Sequence, residues 1–152
     1  MRDRATRFFD DFEIGERFVS RGVTVSESQI LDFALTYDPQ PFHIDKQAAE
    51  DGPFAGLSAS GFQTLALAFR AFYDANIING CSLGSPGLDE LRWTKPVRPG
   101  DTLHVEAEVK QKRASQSKPD RGVLHMAYET KNQDGEVVMT FTAIHIFKRR
   151  SE

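Results

Sequence analysis

The sequence predicts an α+β fold in which one antiparallel sheet wraps around a long central helix. Three observations lead there. Apolar residues recur at helical spacing from Ser58 to about Asn76, the period drops from 3.6 to 2 after Gly87, and the rest of the chain reads as four strands separated by turns. Strands joined in succession by short turns pair antiparallel. A helix that is apolar nearly all round needs a sheet to cover it.

Each element follows from its residues. Residues 1–11 are charged and read as a loose lead-in. The glycine of FEIGERF (12–18) makes a turn before a strand-like segment from Arg17 to Val25. Ser26 to Gln29 (SESQ) is a capping-box pattern, so a helix should run to about Tyr37 and bury Ile30, Phe33 and Ala34. Asp38-Pro39 ends it, because the residue before proline is pushed out of the α region. With Pro39 and Pro41, the segment 38–45 (DPQPFHID) is expected to be a loop with no helix in it. Asp45 reads as the N-cap of a short turn from Lys46 to Asp51.

In the long helix Phe62, Leu65, Ala66, Phe69 and Tyr73 share one face, and Leu67, Ala68, Ala71 and Phe72 cover much of the remainder, so burial all round is expected. Gly80 to Gly87 is a loop. Leu88 to Val97 is the first of the four later strands, closed by the turn RPGD (98–101). Leu103, Val105, Ala107 and Val109 then alternate with His104, Glu106, Glu108 and Lys110, a half-buried strand. A polar hairpin loop (113–122), a strand from Val123 to Thr130, the tight turn NQDG (132–135) and a strand from Val137 to Lys148 complete the chain.

Composition narrows the function. The 152 residues are one domain's worth of sequence, with a core expected over about 10–148. Twelve Phe against 3 Tyr and 1 Trp supply apolar aromatic surface for a core or an apolar pocket. A net charge of −3 offers no cationic excess to neutralise phosphates, which argues against a nucleic-acid partner. The single cysteine, Cys81, forms no intrachain disulfide and agrees with a reducing compartment. No apolar run approaches the ~18–20 residues of a membrane span, and the N-terminus lacks the continuous apolar core of a signal peptide. A cytoplasmic protein without a membrane partner is therefore expected.

Two segments could carry chemistry. Asp38 and His43 stand in a proline-stiffened stretch, and a carboxylate with an imidazole is a common general acid/base pairing. A plain turn, with Asp38 capping a backbone group and His43 at the surface, is the competing reading. The segment Ser58-Ala59-Ser60-Gly61 opens the long helix, where free N–H groups favour negative charge and a glycine allows close approach. Such a place suits a developing oxyanion; simple N-capping and tight packing is the alternative. Arg92, Lys95 and Arg98 around Trp93 read as solvated strand-end charges rather than an anion site. No histidine has partners at metal-ligand spacing, so no metal site is expected.

The D-x4-H order of Asp38 and His43 in a proline-containing loop, the ASG helix start (59–61) and the strand end P-V-x-P-G-D (96–101) together resemble the MaoC-like dehydratases, which include the R-specific enoyl-CoA hydratases. The resemblance covers about residues 10–148. It implies a hotdog fold, a curved antiparallel sheet around a long helix, in a homodimer or higher homo-oligomer. It implies the addition of water to a 2-enoyl thioester, or its removal from the 3-hydroxyacyl form. Asp38 and His43 would hold the water and share the proton transfers, and the Gly61 N–H would polarise the thioester carbonyl. Gln40, Ser60 and Phe62, beside these positions, are expected to contact substrate. No metal or redox cofactor is required, and coenzyme A is the carrier of the acyl substrate. One departure is visible: where the family has Asn-Pro before x-His, this chain has Gln40-Pro41. A hotdog thioesterase and a non-catalytic acyl-CoA-binding domain are the alternative functions.

Overall fold

The computed structural model describes residues 6–151. Helix α1 spans Glu27–Tyr37 and starts with the predicted capping box: Ser26 Oγ accepts from Gln29 N at 3.1 Å, and Gln29 Oε1 accepts from Ser26 N at 2.9 Å. Ile30 and Ala34 are buried, whereas Phe33 is only half-buried and lies against Tyr37. The stretch expected to be free of helix contains one turn, α2, Pro41–Ile44. Proline suits this place: its fixed φ matches the first helical position, where its missing N–H would have had no partner. Helix α3, Lys46–Glu50, is capped as expected, with Asp45 Oδ1 accepting from the N–H groups of Gln47 and Ala48.

The long helix, α4, spans Gly61–Asp74 and begins later than its apolar pattern suggests. Ser58 and Ala59 are extended because their N–H groups bond outward, to Phe42 O and Val97 O. Nor is α4 buried all round. Gln63, Thr64, Ala68 and Phe72 face the core, while Phe62, Phe69 and Tyr73 are 63%, 54% and 40% exposed.

The strands are β1 (Arg17–Val19), β2 (Val23–Thr24), β3 (Gly87–Trp93), β4 (Thr102–Ala114), β5 (Arg121–Lys131) and β6 (Val137–Lys148). The segment expected as one strand from Arg17 breaks at Ser20, whose N–H and Oγ bond the carbonyl and N–H of Val105. Strand β3 stops short of Val97, with Pro96 unable to continue the ladder. The antiparallel order is β1-β4-β5-β6-β3, with β2 also on β4. Inward residues of the sheet, among them Val105, Val109, Leu124, Met126 and Phe147, pack against Phe72 and Ala68 of α4 in one core. This is the hotdog arrangement.

The lead-in is not loose where it is described. Phe9–Asp11 form a 3-10 turn, Phe9 is buried, and its ring occupies the space that a side chain at Gly122 would need. Residues 1–5 of that expectation lie outside the described residues. Among the described residues no helix is long and apolar enough to cross a membrane.

Candidate active site

The fold brings the two candidate segments together. Asp38 is the C-cap of α1, its N–H donating to Ala34 O at 2.9 Å. The α2 turn that follows points His43 inward, where it is buried. Ser58 then clasps this turn twice: its N–H donates to Phe42 O at 3.1 Å and its carbonyl takes a 2.6 Å bond from His43 Nδ1. A carbonyl can only accept, so Nδ1 carries a hydrogen and Nε2 is the ring position left to exchange a proton. That Nε2 lies 3.4 Å from Asp38 Oδ2.

Asp38 is held from both sides. Ser60 Oγ donates to Oδ2 at 2.7 Å and Gln40 Nε2 to Oδ1 at 2.7 Å. Burial alone would raise the carboxyl pKa; the Ser60 and Gln40 hydrogen bonds and the neighbouring His43 outweigh it and keep Asp38 below the usual carboxylate value. Asp38 is therefore a carboxylate at neutral pH.

Both groups line a cavity of about 390 Å³ with Gln40, Gly61, Phe62 and Trp93. Gly61 is the first residue of α4, and among the described residues no acceptor meets its N–H. Its lack of a side chain is required: a Cβ there would sit 2.5 Å from Trp93 Cε2, and Trp93 Nε1 donates to Gly61 O at 2.9 Å.

Five of the six expected site residues thus border one cavity. Ser60 does not. It is fully buried, donating to Asp38 and accepting from Phe62 N at 3.3 Å, which makes it a positioning residue for the carboxylate. Trp93, Phe42, Phe54, Thr64 and Val97 are among the further lining residues that were not expected there. The cations near Trp93 do not converge: Lys95 pairs with Glu136, and Arg98 donates to the carbonyls of Phe54 and Leu57. Among the described residues no three His, Cys, Asp or Glu side chains group as a metal site would require.

A hotdog sheet around α4 is the architecture of the MaoC-like hydratases and dehydratases. The chain belongs to the MaoC-like domain family, whose pattern matches residues 11–130. It is 40% identical to the MaoC-like dehydratase of Rhodospirillum rubrum, covering 96% of this chain and 99% of that one with a TM-score of 0.90. The unliganded R-hydratase PhaJ1 of Pseudomonas aeruginosa superposes with a TM-score of 0.74 at 28% identity, over 95% of this chain and 86% of that one. The uncharacterised protein YdeM of Bacillus subtilis is 33% identical over 124 residues, 82% of this chain and 86% of that protein. Other curated relatives are longer: the chain spans 31% of Protein MaoC of Klebsiella aerogenes and 43% of mesaconyl-CoA hydratase of Cereibacter sphaeroides.

Proposed function

We propose that the protein adds water to 2-enoyl-CoA thioesters, or removes it from 3-hydroxyacyl-CoA, by acid–base catalysis at Asp38 and His43. The observation that carries this reading is the 3.4 Å approach of Asp38 Oδ2 to His43 Nε2, in a cavity that also holds Gly61. When His43 acts as the base, its Nε2 and Asp38 Oδ2 are both acceptors, and a water molecule has two hydrogens to give them.

In the hydration direction the water oxygen bonds to C3 as His43 Nε2 takes one of its protons. Asp38 accepts a hydrogen bond from the remaining O–H and stabilises the imidazolium. The C2–C3 π electrons move toward the thioester carbonyl, whose developing charge the Gly61 N–H meets at the helix start. Return of the proton from His43 to C2 completes addition of one water. The chemistry requires neither metal nor redox group from the protein; coenzyme A enters as part of the substrate. We further propose that the chain works as a homodimer, joined through the exposed face of α4.

Incubation with crotonyl-CoA and longer enoyl-CoAs tests the reaction. Loss of enoyl absorbance with no free thiol is expected. Free thiol would mean hydrolysis, and binding without turnover across the series would mean a binding domain.

A further inference from the structure

A second cavity, of about 400 Å³, lies between α4 and the inner faces of β5 and β6. Phe62 borders both cavities. The lining is apolar and contains no Lys, Arg, Asp or Glu; Leu65, Phe69, Phe72 and Phe141 are typical of it. On its wall, however, stands a polar pair that the proposed reaction does not use. Tyr128 of β5 and His145 of β6 are both buried, and Tyr128 Oη lies 2.5 Å from His145 Nε2.

The hydrogens of this pair do not balance within the protein. Burial pushes the His145 pKa down to about 4 and raises that of Tyr128, so both are neutral near pH 7. A neutral tyrosine and a neutral histidine carry two polar hydrogens, and their mutual bond uses one. If Tyr128 donates to Nε2, the Nδ1 hydrogen of His145 has no acceptor among the described residues. If Nε2–H donates to Tyr128, the phenolic hydrogen is left with only Met126 Sδ, a weak acceptor at 3.9 Å. The pair therefore has one hydrogen-bond donor to offer, beside a cavity whose lining is mostly apolar. Of the serines that border the cavity, Ser85 Oγ donates to Gly87 O, and Ser82 Oγ accepts from Gly84 N.

Resting on the hydratase reading above, we propose that this cavity receives the distal part of the acyl group and that Tyr128 and His145 select a tail carrying a neutral oxygen, a hydroxyl or a ketone. A carboxylate is excluded, since no cation lines the cavity to offset its desolvation. The distance sets the chain length. Phe72, whose ring meets Tyr128 at 5.1 Å, is about 16 Å along the helix axis from Gly61. At about 1.2 Å per bond of extended chain, that takes roughly 13 bonds, a chain of about fourteen carbons.

The test compares kcat/KM for trans-2-tetradecenoyl-CoA with its 12-oxo and 14-hydroxy analogues. The same ratio is then measured in the double variant Tyr128→Phe/His145→Leu, which removes both partners together and strands neither. A wild-type preference of about tenfold or more for at least one oxygenated chain is expected, as for one hydrogen bond realised in the complex, with the ratio falling to near one in the double variant. Equal turnover of all three by the wild type, or a preference for the plain chain, overturns the proposal while leaving the hydratase reading intact. So does a preference that survives in a folded double variant. The wild-type ratio decides alone if that variant does not fold. A wild type that hydrates no enoyl-CoA removes the reaction and this inference together.

Discussion

The acid–base assignment rests on two side chains whose replacement need not disturb the fold. Asp38→Asn and His43→Gln are near-isosteric and remove mainly proton chemistry. Each should lower kcat by about 10²–10⁴-fold with a smaller effect on KM, and the double variant should be little worse than either single one, because residues that act as a unit are not additive. Hydration kinetics beside thermal unfolding check this; near-normal kcat in both single variants would return Asp38 and His43 to the status of turn residues. Ser60 gives a separate handle. Asp38 is held below the ordinary carboxylate value of about 3.9, so the stability it contributes is complete above that value and is lost as pH falls through the lowered one. Ser60→Ala removes one of the hydrogen bonds that lower it and leaves burial opposing ionisation. The acid limb of the pH–rate profile should therefore move to higher pH, and an unmoved limb would show that Ser60 does not tune Asp38. The pairing of Asp38 with His43 was legible in the sequence because both lie in one short proline-stiffened segment. The Ser58 carbonyl that fixes the histidine tautomer was not, since a main-chain acceptor fifteen residues away leaves no residue-type signal.

At the level of elements, caps and turns were legible where a side chain does the work locally. The Ser26–Gln29 capping box and the Asp45 cap are both present as read. The α2 turn and the late start of α4 were not, because each depends on a partner far along the chain: Phe42 O holds Ser58 extended, and Val97 O holds Ala59. The same kind of distant partner explains Gly61. Trp93 lies against it, so the helix start and the end of β3 are fitted to each other. Gly61→Ala should displace the indole, destabilise the protein by about 1–3 kcal/mol as overpacking does, and lower turnover by disturbing the cavity wall. Adding Trp93→Leu should recover most of the stability without recovering turnover. A thermal-unfolding double-mutant cycle measures this, and additive losses would mean that the two residues do not press on each other.

At the scale of the whole molecule, the alternation of Leu103 to Val109 showed which face of the sheet is inward, but not that β3 would close the far edge beside β6. Strand order depends on contacts between segments about fifty residues apart, and periodicity carries none of that. The same gap explains why α4 was expected to be buried all round. The sheet covers only one side, and Phe62, Ala66, Phe69 and Tyr73 are left exposed, as is Leu88 of the edge strand β3. A contiguous apolar stripe next to an open strand edge is the kind of surface that a second copy covers, and a two-fold axis would set the stripe against itself. Such pairing would also roof the apolar cavity that Phe69 and Leu88 border, so assembly and use of that cavity should be linked. Sedimentation at micromolar concentration should give twice the 17.1 kDa chain mass. Phe69→Asp, which buries an unpaired charge only if the face is covered, should shift the protein toward monomer and weaken turnover of long enoyl-CoAs more than of crotonyl-CoA. A wild-type monomer, or a Phe69→Asp dimer as tight as the wild type, would place the interface elsewhere.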